Sequence, residues 1–144
     1  MISKTFIELN NREEGSFGYL LELKKIIAKQ LASMTKEYII KILFDIEHYS
    51  FVLVDEEKVV LGGACFKLFK DKPFIELVFL AVSPTQQSRG CGKDLILKLK
   101  EIAIRCDKAH IITYADNYAC EFFKKQGFLR EISLEKWKWE GFIK

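Results

Sequence analysis

The amino-acid sequence predicts a mixed α/β (α+β) domain with a partly antiparallel sheet, and three observations carry that reading. Three β-rich runs follow one another closely, at Phe51–Val54, Val59–Phe69 and Phe74–Val82, with only short polar turns between them. Two stretches, around Leu20–Leu31 and Leu95–Cys106, repeat apolar residues at helical spacing. The second half then alternates strand, helix, strand, helix, strand, so helices have a sheet to pack on.

Taken in order, Thr5–Leu9 predicts a short strand, ended by the polar run Asn10–Ser16. Leu20, Leu23, Ile27 and Leu31 fall at i, i+3, i+7 and i+11, with Lys24, Lys25 and Lys29 mostly off that stripe, which predicts an amphipathic helix. Thr35 suits the N-cap of a second helix containing Glu37, Ile39, Ile42 and Leu43, whose end falls near Asp45–Tyr49. Asp55–Lys58 is a polar hairpin turn between two strands, and Gly62-Gly63 marks a bulge or a close backbone approach in the second. Asp71-Lys72-Pro73 turns the chain into Phe74–Val82, where eight of nine residues are apolar; a run without alternation predicts a central strand buried on both faces. Ser83–Ser88 is a loop into Gly90-Cys91-Gly92, and Leu95, Leu99, Ile102 and Cys106 mark the helix that follows. His110–Tyr114 is a strand, Asn117–Gln126 a helix closed by Gly127, and Phe128–Ile132 and Trp137–Ile143 are expected as strands.

Composition narrows the class. The 144 residues suffice for one domain, 49% are hydrophobic and 30% charged, and no repeat, low-complexity tract or charge block divides them. A net charge of +3 is too balanced to predict nucleic-acid binding, and no apolar run reaches the roughly 18 residues of a membrane helix. The opening residues begin no signal peptide, so a reduced compartment is expected. Cys65, Cys91, Cys106 and Cys120 form no C-x-x-C pair, and only His48 and His110 could join them on a metal; neither a metal site nor a disulfide is expected. Small apolar fillers describe these cysteines best.

Three segments carry chemistry. Glu76 is the one charge in F-I-E-L-V-F-L-A-V. Loss of hydration in such a strand raises a carboxyl pKa toward neutrality, where it can serve as a general base. A carboxylate paired with a Lys or Arg is the alternative, and the residue alone does not choose. In Gln87-Ser88-Arg89-Gly90-Cys91-Gly92-Lys93, glycines between strand and helix let a ligand approach the backbone, and the open N–H groups and dipole at the helix start suit a phosphate or pyrophosphate. A phosphate-binding Walker loop lacks its first glycine at Gln87 and its Ser or Thr at Asp94, and a dinucleotide fingerprint lacks its third glycine at Leu95. A glycine turn that merely opens a helix fits as well. Tyr114–Phe128 reads as a strand end, a helix with an aromatic face in Phe122 and Phe123, and a terminal glycine.

Together and in this order, F-I-E-L-V-F-L-A-V, Q-S-R-G-C-G and T-Y-A-D-N-Y-A-C-E-F-F-K-K-Q-G-F resemble the GNAT acetyltransferase superfamily. Within it the chain is similar to the catalytic domains of PCAF-type nuclear histone acetyltransferases, from Leu23 nearly to Lys144. The resemblance implies an acyl-CoA acyltransferase fold, a mixed, mostly antiparallel central sheet flanked by helices, with residues 1–144 forming one domain of a longer chain that carries a C-terminal bromodomain. It implies Glu76 as general base, and Leu80, Ala81 and Val82 as the strand end that binds the pantetheine arm and thioester. Gln87, Ser88, Arg89, Gly90, Cys91, Gly92 and Lys93 would form the pyrophosphate loop, and Tyr118, Ala119, Cys120, Glu121, Phe122 and Phe123 the helix on the cofactor's other side. Implied too are acetyl-CoA as co-substrate without a metal, direct transfer to a lysine of a histone tail (chiefly the third core histone), adaptor subunits of a SAGA- or Ada-like coactivator complex, a monomeric domain, no membrane or direct nucleic-acid partner, and a nuclear location. Leu80 stands where the family usually has Cys, Cys91 for Tyr, Thr35 for Pro, and Phe122 where Tyr is common, so no phenol is available there to protonate the leaving thiol. Glu13, Glu14, Glu135 and Glu140 are the acidic residues expected near a basic tail. A GNAT acting on a small amine or another protein, a catalytically silent acyl-CoA-binding module, and a nucleotide-binding α/β domain are the rival readings.

Overall fold

A computed structural model describes residues 4–9, 14–31, 34–84, 90–113 and 119–129. Within these, the elements run β1 (Thr5–Leu9), α1 (Glu14–Gln30), α2 (Lys36–Leu43), β2 (His48–Val54), β3 (Val60–Leu68), β4 (Phe74–Val82), α3 (Cys91–Arg105), β5 (His110–Thr113) and α4 (Cys120–Lys125). The strands form one sheet in sequence order, antiparallel from β1 to β4 and parallel between β4 and β5. That is the mixed, mostly antiparallel sheet expected.

Each face of the sheet carries its own apolar layer. On one, Leu20, Leu23 and Ile27 of α1 and Ile39 and Leu43 of α2 pack on Val52, Val54, Cys65, Phe79 and Ala81. On the other, Cys91, Leu95, Ile96, Leu99 and Ile102 of α3 and Phe123 of α4 pack on Phe51, Leu53, Phe66, Ile75 and Leu77. The caps are those the residues favour. Thr35 accepts a hydrogen bond from the Tyr38 amide at 3.2 Å, satisfying one free donor of α2. At the end of α4, Gly127 takes φ +94°, its N–H donates to Lys124 O, and the Phe128 N–H donates to Phe123 O. The Phe123–Phe128 ring contact at 5.2 Å completes this αL closure.

Several expected boundaries move. α1 begins at Glu14, inside the polar run, and already buries Ser16 in its first turn. β2 begins at His48 rather than Phe51; its His48 Nδ1 lies 2.6 Å from Asp45 Oδ2, a contact that ties the α2 exit to the strand. α4 is shorter than Asn117–Gln126, and Phe128 and Leu129 do not belong to a strand. Residues 130–132 and the expected strand Trp137–Ile143 lie outside the described residues.

The Gly62-Gly63 expectation holds in both its forms. The β2–β3 register skips Leu61, placing a bulge beside Gly62. A Cβ on Gly62 would stand 2.7 Å from Ala81 O, and one on Gly63 2.7 Å from both Phe51 O and a Leu23 methyl. β4 differs from expectation in an informative way. From Ile75 onward buried residues alternate with half-buried ones: Glu76, Val78, Leu80 and Val82 are all partly exposed. The β3–β4 register skips Val78, so Ile75 and Leu77 join the α3 layer while Phe79 and Ala81 join the α1 layer. The bulge swaps the strand's faces, which is why the sequence shows an apolar run and no simple alternation.

Candidate active site

β5 pairs with β4 only from Phe74 to Leu77, the last of these opposite Thr113, whose hydroxyl donates to Leu77 O at 3.0 Å. Beyond the Val78 bulge, Leu80, Ala81 and Val82 have no β5 partner among the described residues. Ala81 is buried toward α1, whereas Leu80 and Val82 are half-exposed and pack against the layer beneath α3. An apolar strand end that runs past the described β4–β5 pairs therefore packs against the layer under α3. Glu76 sits one residue before the last of those pairs.

Glu76 is half-buried, and loss of hydration raises its pKa above the usual carboxylate value; the Lys67 ammonium on β3 opposes that shift. Lys67 is the residue directly opposite Glu76 across the β3–β4 pair. Its Nζ is held 3.4 Å from Glu47 Oε2 and 5.0 Å from the centre of the Phe69 ring, and among the described residues it closes no ion pair with Glu76. The carboxylate thus keeps the raised proton affinity that a base working near neutral pH requires.

Gly90 caps α3 in the left-handed region at φ +76°, a conformation glycine adopts without a Cβ clash, and it offers no side-chain cap. A Cβ there would meet nothing within 4 Å among the described residues. The amides of the first turn of this fifteen-residue helix carry the positive end of its dipole. Cys91 is fully buried, Gly92 is half-buried and Lys93 exposed. Asp94, the acid of the first turn, is held by Lys4 at 2.6 Å, which offsets its charge near the anion-binding end. A Cβ on Gly92 would stand 3.0 Å from the Phe122 ring, so this glycine sets how closely α4 approaches α3. Around it, Ala119 begins α4, Cys120 and Phe122 are half-buried, Glu121 is exposed, and Phe123 is buried in the core and contributes packing. Gln87, Ser88, Arg89 and Tyr118 lie outside the described residues, as do Glu13, Glu135, Glu140 and the side chain of Glu14.

Two of the four cysteines are buried. The thiol of Cys65 is pushed up to about 12 by loss of hydration, Cys91 is the other buried one, and all four are free. No group of three or more His, Cys, Asp or Glu among the described residues comes together to hold a metal, and no described helix is long and apolar enough to cross a membrane.

Residues 19–128 match the family model described as acetyltransferase (GNAT) family. The chain belongs to the GNAT acetyltransferase family. It is 41% identical over 136 residues to the histone acetyltransferase GCN5 of Yarrowia lipolytica, covering 94% of this chain and 29% of that protein. The same identity over the same length relates it to GCN5 of Debaryomyces hansenii, with 94% and 30% covered. The chain therefore spans less than a third of the length of these curated relatives. The crystal structure of Tetrahymena GCN5 superposes with a TM-score of 0.93 at 40% identity, covering 97% of this chain and 88% of that one. The Tetrahymena GCN5 catalytic domain in complex with coenzyme A superposes at 0.77 and 40% identity, covering 98% and 86%. An aminoglycoside acetyltransferase from a soil metagenome, 20% identical with a TM-score of 0.71, shares the fold. As a GNAT domain, the chain has its β4 bulge, the apolar strand end Leu80–Val82 and the α3 terminus without a side-chain cap on one side of the sheet.

Lys67, Glu47 and the Asp94–Lys4 pair are features of the site that sequence reasoning missed. Counting the β3–β4 hairpin outward from Asp71-Lys72 would have placed Lys67 opposite Glu76, because the hairpin register is symmetric up to the Val78 bulge. Nothing local in the sequence connects Lys4 to Asp94, ninety positions away.

Proposed function

We propose that this GNAT domain is a histone lysine N-acetyltransferase that transfers acetyl from acetyl-CoA to a lysine of a histone N-terminal tail, chiefly the third core histone, by direct attack in a ternary complex. The observation that carries the reading is Glu76: a half-buried carboxylate with raised proton affinity, on β4, one residue before the last described β4–β5 pair. Identity of about 40% to GCN5 enzymes over nearly the whole chain, set against 20% or so to aminoglycoside acetyltransferases, favours a histone over a small amine. Adaptor subunits of a coactivator complex and a nuclear location extend the same reading.

The chemistry follows from magnitudes. A lysine with pKa about 10.4 is neutral in about one molecule in 2,500 at pH 7, and deprotonating it there costs about 4.6 kcal/mol. Glu76, directly or through a water, takes the ammonium proton, and the freed amine attacks the thioester carbonyl. An amide of the β4 end near Leu80 meets the oxygen that becomes negative, a contribution of about 2–4 kcal/mol where the donor is well aimed. Half-exposed Leu80 and Val82 line the acyl arm with apolar surface, and the first turn of α3, with Gly90, Gly92 and Lys93, receives the pyrophosphate. As the adduct collapses the C–S bond breaks, the nitrogen gives up its second proton, which the departing CoA sulfur takes up through solvent, and the proton held on Glu76 returns to solvent. No covalent acetyl-enzyme is needed, in keeping with the buried and poorly ionised Cys65.

The test is transfer of labelled acetyl from acetyl-CoA to core histones, run beside polyamines and aminoglycosides, with the modified position mapped. Label on a tail lysine of the third core histone at a rate far above the small amines is expected. Preference for a polyamine or an aminoglycoside would overturn the histone assignment and leave the family intact.

A further inference from the structure

A row of directly opposed residues crosses the sheet at the level of Glu76: His48 on β2 faces Lys67 on β3, Lys67 faces Glu76 on β4, and Glu76 faces Ile112 on β5. Opposed Cβ atoms in a sheet are about 5 Å apart, well within reach of a lysine's four-carbon stem. Lys67 nevertheless turns away from Glu76, its Nζ 3.4 Å from Glu47 Oε2 and 5.0 Å from the Phe69 ring centre. The Lys67 side chain is mostly buried, at 28% exposure, while Glu47 is 67% exposed.

The other charged or titratable groups on this face are few among the described residues. Asp45 and His48 hold each other at 2.6 Å at the far end of the row, and His110 stands at the start of β5, opposite Phe74. α1 and α2 lay Leu20, Leu23, Ile27, Ile39 and Leu43 on this face; Tyr19 packs against the same layer, Tyr38 meets Phe79 edge-on, β3 adds the buried Cys65, and α1 also buries Ser16.

We infer that Lys67 is a positioning residue for the base: Glu47 and the Phe69 ring hold its ammonium off Glu76, and that restraint sets how strongly the carboxylate binds a proton. The inference rests on reading Glu76 as the base. A cation that swung onto Glu76 would favour the ionised form and make the base weaker; one held aside leaves the effect of burial dominant, in accord with the raised proton affinity of Glu76 despite the lysine opposite. Glu47 then acts on the reaction only through Lys67.

The test titrates the Glu76 carboxyl by carbon-13 NMR in the free protein, assigned by its loss in Glu76→Gln, and records the pH profile of kcat/KM for the same variants. Lys67→Met is expected to raise the Glu76 midpoint by about 0.5–1 pH unit and to move the acid limb of the profile by the same amount. Glu47→Gln releases Lys67 and is expected to lower the midpoint. In the Lys67→Met background, Glu47→Gln is expected to have almost no effect, because its route is gone. An unmoved midpoint in both single variants, or an equal effect of Glu47→Gln with and without Lys67, would overturn the inference. Where Lys67→Met fails to fold, Lys67→Gln takes its place, and the exposed Glu47 gives an independent reading. A midpoint that moves while the acid limb stays put would retire Glu76 as base and leave its coupling to Lys67 standing.

Discussion

At the scale of the residue, the raised pKa of Glu76 is a statement about stability as well as chemistry. Loss of hydration is the first cause, with Lys67 opposing it. The folded chain therefore holds this proton more tightly than the unfolded chain. Below the unfolded carboxyl pKa both states are protonated and the site costs nothing. As pH rises through the window up to the folded pKa, the unfolded state ionises first and stability is lost. Glu76→Gln is accordingly expected to raise Tm at pH 7.5, with the gain shrinking to nothing below about pH 4. Equal melting of the two proteins at neutral pH would mean the carboxylate is not strained by its surroundings. The exchange is one of stability for activity: the same burial that destabilises the ionised form makes it a usable base.

Elements place that residue, and here the sequence was legible in part. Gly62-Gly63 was readable as a bulge or close approach, because few other demands put two glycines inside a strand. Both occur, with Ala81 O and Phe51 O each 2.7 Å from where a Cβ would sit. Gly63→Ala, which also meets a Leu23 methyl at 2.7 Å, is expected to cost about 2–3 kcal/mol in chemical denaturation, since the contact on one side is backbone and cannot rotate away. A loss under half a kcal/mol would show that β2 and β3 can separate freely. The Val78 bulge left no such mark: apolar residues flank it on both faces, so a swap of faces leaves the composition unchanged. The end of α4 was readable from Gly127, whereas the close packing that would put a Cβ on Gly92 3.0 Å from the Phe122 ring depends on how two helices meet. Gly92→Ala forces that ring aside, and is expected to weaken acetyl-CoA binding several-fold in calorimetry while changing Tm little; unchanged affinity would detach α4 from the cofactor.

At the scale of the whole molecule, one sheet carries an apolar layer on each face, and the β4 end, Leu80–Val82, runs past the described β4–β5 pairing and packs against the layer under a helix whose N-terminus has no side-chain cap. The fold class, the order of elements and the apolar strand around Glu76 were legible because hydrophobic period and turn residues are local signals. Of the row from His48 to Glu76, the Lys67–Glu76 pair follows from counting out from its hairpin turn, whereas the His48–Lys67 pair lies beyond a bulge that shifts the β2–β3 register. A ligand that packs on the β4 end binds the folded state alone, so acetyl-CoA at one hundred times its Kd is expected to add about 2.7 kcal/mol to unfolding stability, seen as a rise in Tm. Absence of any thermal shift at that concentration would place the cofactor elsewhere. The claim on which all of this turns is that Glu76 removes the proton and does nothing to hold the cofactor. It is tested most directly by measuring, on Glu76→Gln beside the wild type at neutral pH, the single-turnover rate of acetyl transfer to histone and the affinity for acetyl-CoA. The account predicts a rate at least about 100-fold lower with affinity nearly unchanged; transfer at the wild-type rate would contradict it.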